Sequence, residues 1–202
     1  MVSVGCIIPV YINTDVDHLD AALSSVFCQT VPVTEIIISI DGAISTELSQ
    51  YLNKLASERR NVKTVISIEN KGAGAARNLA IATSQEEYLM FLDSDDLCAP
   101  IRIQEQLEFI MEHGLDGCYC NMIRLNGADR YYIDYNPGFL SFSWKTLLLS
   151  PVSLPTLFVK RTVLQNCHFP EHIRVAEDYW LFLLMMVAGI RLGNVGQYLY
   201  YY

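Results

Sequence analysis

The first 125 residues switch repeatedly between two hydrophobic periods, and that alternation leaves few folds open. VGCIIPV, at Val4–Val10, is a near-continuous apolar run of the kind a strand buried on both faces requires. Leu19, Ala22, Leu23, Val26 and Phe27 then recur at helical spacing, with Pro32 beyond the end. EIIISID, at Glu35–Asp41, is a second strand. Leu48, Tyr51, Leu52, Leu55 and Ala56 mark a second amphipathic helix, with Ser45 or Thr46 as its cap. Further strands are expected at 62–68, 88–92 and 117–125. A small-residue helix is expected at 75–83, and another around Ile103, Leu107, Ile110 and Met111. Such alternation implies βαβ units: an α/β fold with a mostly parallel central sheet flanked by helices on both faces.

The second half is less regular. GADRYYIDYNPGF is a turn-rich connection, 155–160 reads as a strand, 178–187 as a helix and 193–202 as a final strand. That last strand reaches the end of the chain without a stop signal, which reads as a cut from a longer parent. The expected organisation is one domain over 1–202, divided into halves at 1–125 and 126–202.

Composition narrows the function classes. Half of the 202 residues are hydrophobic (51%), far from a disordered composition. A formal net charge of −8 disfavours nucleic acid, which needs fields of Lys and Arg, but does not bear on a small phosphorylated ligand. Cys6, Cys28, Cys98, Cys118, Cys120 and Cys167 sit mostly in apolar runs, and the chain begins directly with a strand-like segment. Reduced thiols in a cytosolic protein are therefore expected. Cys118 and Cys120 lack a metal-binding spacing, and His168 with His172 lacks a cysteine pair in register. No apolar window reaches the length needed to span a bilayer. WLFLLMMVAGI reads as a buried helix. The apolar stretch 138–159, interrupted by Lys145, Pro151 and Pro155, reads as a segment that could lie on a membrane surface or under a partner.

In open α/β sheets, ligands bind at the carboxyl ends of the strands. Strand one ends in Pro9-Val10-Tyr11, strand two in Asp41-Gly42, strand three leads into ENKGAGAARN, and strand four ends in Asp93-Ser94-Asp95-Asp96. Gly72 and Gly74 permit a tight turn and close backbone approach, and the helix that follows offers free N–H groups suited to phosphate. Arg77, expected in its first turn, is unfavourable there without an anionic partner. This is not the dinucleotide fingerprint, since GxGxxG is not satisfied. The D-x-D spacing of Asp93 and Asp95 suits one hard divalent cation. Equally, Asp95 or Asp96 could cap the helix near Pro100. Glu177 and Asp178 read either as an acidic helix start or as a general base aimed at a hydroxyl, with Tyr179 or Trp180 as a platform for a sugar ring.

The order CIIPVY, EIIISIDG, NKGAGAARN, YLMFLDSDD, FPEHIRVAED and YLYYY resembles the inverting bacterial family-2 glycosyltransferases with the GT-A fold, over nearly the whole chain. The resemblance implies a nucleotide-sugar donor, commonly a UDP-sugar, and a divalent metal, Mn²⁺ or Mg²⁺. It implies a saccharide or lipid-linked saccharide acceptor in cell-surface polysaccharide synthesis. The implied location is cytoplasmic, with peripheral contact at the inner face of the plasma membrane, for which 138–149 would be the membrane-facing patch. Pro9, Val10 and Tyr11 would border the nucleoside, and Asp41 would meet the base. Gly72 and Arg77 would approach the ribose or diphosphate. Asp93, Ser94 and Asp95 would form the D-x-D turn, with Asp95 nearest the metal and Asp96 left between metal site and helix cap. Asp178 would deprotonate the acceptor, with Glu177 as its neighbour. Two departures stand out: Ile40-Asp41-Gly42-Ala43 replaces the common Asp-Asp-Gly-Ser, and Ile12 separates Tyr11 from Asn13. The competing readings are a nucleotide-binding module without catalysis and a catalytic fragment that needs further C-terminal parts. A sugar nucleotidyltransferase would require a glycine-rich basic loop near the N-terminus, which this sequence lacks.

Overall fold

A computed structural model describes residues 2–135, 138–139, 152–171, 173 and 175–202. Most of the patch at 138–149, and His172, lie outside the described residues.

The expected alternation is present: β1 (Val4–Val10), α1 (Val16–Phe27), β2 (Glu35–Asp41), α2 (Thr46–Glu58), β3 (Val62–Ser67), α3 (Ala73–Thr83), β4 (Tyr88–Phe91), β5 (Leu97–Cys98), α4 (Arg102–His113) and β6 (Gly117–Asn126). Local chemistry sets the helix starts. The Asp15 carboxylate accepts from the N–H groups of Asp17 and His18, and the Ser45 hydroxyl accepts from that of Leu48 at 3.1 Å. The second half adds β7 (Asp129–Ile133), β8 (Gly138–Phe139), a 3₁₀ turn at Leu154–Thr156, β9 (Phe158–Lys160), α5 (Arg161–Asn166), α6 (Glu177–Val187) and β10 (Leu192–Tyr201).

Among the described residues the strands run β3-β2-β1-β4-β9-β6-β10-β5, with β7 on β6 and β8 on β10. The strands β3, β2, β1 and β4 are parallel, as are β6 and β10. In contrast to the expected run of parallel neighbours, β9 lies antiparallel between β4 and β6. The strand expected at 155–160 starts only at Phe158, because Pro155 sits in the 3₁₀ turn, where its fixed φ is favourable.

Period-two alternation divides the core into two layers. Cys6, Ile8 and Val10 face α1, α2 and α4, while Ile7, Leu89 and Phe91 face α3, α5 and α6. A fully buried Arg102 on α4 ties the layers to the second half. Its guanidinium donates to the carbonyls of Phe91, Pro155 and Leu157 and to Gln106. α6 differs from the expected buried helix: Leu181, Phe182 and Met185 are buried, but Trp180, Leu184 and Val187 are exposed. One stripe of this helix suffices to cover the sheet, and the other faces outward. Five of the six cysteines are buried and all are free thiols. Among the described residues no helix is long and apolar enough to cross a membrane.

Candidate active site

The ends of β1, β2 and β4 and the start of α3 enclose a cavity of about 440 Å³. Pro9, Val10 and Tyr11 line it from β1, and Asp41 from β2. Asp41 is buried, and its two carboxylate oxygens accept the N–H groups of Lys71 at 2.8 Å and Gly72 at 2.9 Å. It therefore holds the glycine turn, in which Gly72 adopts φ 95°, a conformation that L side chains rarely take. α3 starts without a side-chain cap, and Gly72 and Ala73 line the cavity, so its first-turn N–H groups form an electropositive edge there.

The acidic turn after β4 supplies the opposite charge. Ser94 and Asp96 are buried, Asp93 is half-buried and Asp95 is exposed. Asp96 accepts a hydrogen bond from the Tyr200 hydroxyl. Burial pushes its carboxyl up to about 7, helped by Asp93 and Asp95 and opposed by the Tyr200 bond. Neither Asp95 nor Asp96 caps α4, whose N-cap is Ile101 and carries no side-chain bond. The capping alternative is thus excluded. Asp95 makes no hydrogen bond or ion pair among the described residues, is exposed and lines the cavity. Its carboxylate and the free Oδ2 of Asp93 are hard oxygen donors two positions apart. That set fits Mg²⁺ or Mn²⁺, which take one or two carboxylates and complete their shell with phosphates and water. No three His, Cys, Asp or Glu side chains gather into a fuller cage among the described residues.

Arg77 stands one turn inside α3 rather than in its first turn, and it is buried. The anionic partner it needs is present twice. One terminal nitrogen donates to Asp93 at 2.9 Å and the other to Glu177 at 3.2 Å. Its Nε is buried without a partner, and the guanidinium lies 5.9 Å from the Phe169 ring centroid.

A second cavity, of about 390 Å³, opens on the other side of this ion-pair cluster, with Glu177 and Asp178 in its lining. The two cavities share Arg77, Asp93, Asp96 and Tyr202 as a common wall. Asp95 lies only in the first and Asp178 only in the second. Glu177 and Asp178 are the first residues of α6, after an Ala176 N-cap at φ 60°. Ala176 is the only non-glycine with positive φ among the described residues, a conformation that costs about 1–3 kcal/mol.

Tyr179 and Trp180, expected as an aromatic platform, line neither cavity. Tyr202 lines both, with the Arg124 guanidinium 5.6 Å from its ring centroid. Sequence reasoning missed Tyr202, Tyr200 and Arg124. Tyr200 and Tyr202 are two positions apart in YLYYY, which puts them on one face of a strand and was the available signal. A larger cavity, of about 970 Å³, lies along β3 and α3 against Ile66, Ile68, Glu69, His168 and Glu171, and none of Asp93, Asp95, Asp96, Glu177 and Asp178 lines it. The buried Arg77, paired with Asp93 and Glu177 in the common wall, singles out the paired cavities, not volume.

Comparison with known proteins bears on the family and the fold. A family model described as glycosyl transferase family 2 matches residues 6–165. A Rickettsia felis protein described as an uncharacterized glycosyltransferase is 33% identical over 184 residues, covering 89% of this chain. The chain spans 29% of that relative's length. The Escherichia coli UDP-Glc:alpha-D-GlcNAc-diphosphoundecaprenol beta-1,3-glucosyltransferase WfaP is 28% identical, covering 88% of this chain and 68% of its own. The crystal structure of Staphylococcus aureus TarS 1–349 in complex with UDP-GlcNAc superposes with a TM-score of 0.80 at 23% identity, covering 99% of this chain and 58% of that one. That likeness shows the fold, and it is the GT-A type that the sequence motifs implied.

Proposed function

The chain belongs to glycosyl transferase family 2, and on that footing we propose that it is the catalytic region of an enzyme moving a sugar from a UDP-sugar to a hydroxyl of a saccharide or lipid-linked saccharide. The observation that carries this reading is the shared wall, with Asp95 on one side and Asp178 on the other. A lipid-diphosphate acceptor, as named for the Escherichia coli relative, is favoured for its chemistry. Such an acceptor would bring the enzyme to the inner face of the plasma membrane.

In this reading the first cavity takes the donor. Pro9, Val10 and Tyr11 border the nucleoside, and Asp41 acts through the turn it holds. The first-turn N–H groups of α3 favour the diphosphate. Asp95, with Asp93, would hold Mn²⁺ or Mg²⁺, and a divalent cation there supplies positive charge against the charge that builds on the leaving diphosphate. Asp178 takes the proton from the attacking hydroxyl on the other side of the wall. Attack opposite the leaving group inverts the anomeric carbon and requires no covalent enzyme intermediate.

The test is UDP release across a panel of UDP-sugars with Mn²⁺, repeated after chelation. Release that needs the cation is expected. Asp178→Asn should lower transfer by about 10²–10⁴-fold while UDP affinity stays within about threefold. Full transfer in that variant would remove Asp178 from the role of base. Tight UDP binding with no turnover on any acceptor would point instead to a binding module.

A further inference from the structure

Arg77 and Asn78 are consecutive on α3, and both reach to one distant segment. Asn78 Nδ2 donates to the carbonyl of Phe169 at 2.9 Å, and Asn78 Oδ1 accepts from the Phe169 N–H at 3.1 Å. Arg77 grips the far end of the same segment through Glu177, one hundred positions away, and lies over the Phe169 ring. Phe169 and Glu177 are held in this way, and Glu177 directly precedes the carboxylate assigned as the base.

The start of α6 holds Asp178 only through its own first turn, where the Tyr179 N–H donates to Asp178 Oδ1 at 2.7 Å. Its N-cap, Ala176, holds a positive φ and makes no side-chain cap bond. The backbone of α3 is bare where the segment comes closest. A Cβ on Gly74 would lie 3.1 Å from Glu177 Cγ and 3.2 Å from Phe169 Cβ.

Arg77 is poorly suited to bind a donor phosphate. Each terminal nitrogen directs one N–H to a carboxylate, at 2.9 Å and 3.2 Å, and the side chain is 8% exposed, so the fork is oriented by Asp93 and Glu177. Formally, Arg77, Asp93 and Glu177 together carry one negative charge, so the cluster does not attract a diphosphate.

We propose that Arg77 and Asn78 form a clasp that positions Asp178 against the Asp93 turn, and that Arg77 is a positioning residue rather than a ligand of the donor diphosphate. This rests on the reading of Asp178 as the base. A lysine at 77 keeps the charge, but its single ammonium lacks the planar fork that pairs with two carboxylates at once.

Three readouts on Arg77→Lys, Asn78→Ser and Glu177→Gln test the clasp: UDP affinity by calorimetry with Mn²⁺, amide hydrogen exchange over 169–181, and steady-state UDP release. The expected result is exchange in 169–181 about tenfold faster or more, with UDP affinity within about threefold of the parent. Turnover should fall about tenfold with donor KM unchanged. Arg77→Lys weakening UDP about tenfold with exchange in 169–181 unchanged would make Arg77 a donor ligand and overturn the proposal. Unchanged exchange in all three variants would also overturn it. A parent protein that binds UDP without turnover would defeat the proposed activity, yet exchange and affinity would still decide the clasp. Should Arg77→Lys fail to fold, Asn78→Ser and Glu177→Gln carry the same readouts from the periphery of the cluster.

Discussion

Four carboxylates near the strand ends carry the same formal charge and have four different fates. Asp41 accepts backbone N–H groups on both oxygens, Asp93 pairs with Arg77, Asp96 is buried on Tyr200, and Asp95 has no partner among the described residues. Removing Asp41 leaves the turn at Lys71 and Gly72 without its two acceptors. Asp41→Ala should cost about 2–4 kcal/mol by urea unfolding and weaken UDP binding as the turn loosens. Asp96 makes a pH prediction for the unliganded protein. Its folded-state carboxyl is raised from 3.8 to about 7, so the folded protein holds a proton that the unfolded chain releases. The stability it contributes is full below pH 3.8 and is lost as pH rises to about 7. Melting temperature should therefore fall from pH 5 to pH 8, by the equivalent of roughly 1–3 kcal/mol, and Asp96→Asn should flatten that slope. A slope unchanged in Asp96→Asn would assign the effect to another group.

At the scale of elements, α3 does two jobs with one surface. Its start faces the first cavity and its flank seats Phe169 and Glu177. The flank allows no bulk, so Gly74→Val should cost about 1–3 kcal/mol and displace the start of α6. Transfer should fall more than UDP affinity, which a donor titration beside a turnover assay would separate. The cap of α2 is independent of the site. Ser45→Ala should cost about 1 kcal/mol in chemical unfolding and leave kcat unchanged. Helix starts of this kind were legible, because a cap bonds within three residues of itself. The reach of β9 was not. PTLFVK has strand-like composition throughout, but the 3₁₀ turn occupies its first part and pairing with two strands from the first half fixes the rest.

For the whole molecule, the seam between halves depends on Arg102, which is buried without a carboxylate partner among the described residues and satisfied by carbonyls from β4 and from the 3₁₀ turn region. Arg102→Met should strand those acceptors and cost on the order of 3 kcal/mol, read as a lowered urea midpoint. Much of this architecture was written along the chain. Apolar period, caps and glycine turns act over a few residues, so the sequence by itself determined the layered α/β fold, the strand ends that carry Tyr11, Asp41 and Asp93–Asp96, and the acidic start of α6. The partnerships were decided only by the tertiary structure. Whether Asp96 caps a helix, whether Arg77 meets a ligand or two carboxylates, and whether Trp180 or Tyr202 lines the cavity depend on groups as far as 107 positions apart. Burial and ion pairing are properties of neighbours in space, and those neighbours exist only once the sheet has closed the chain around them.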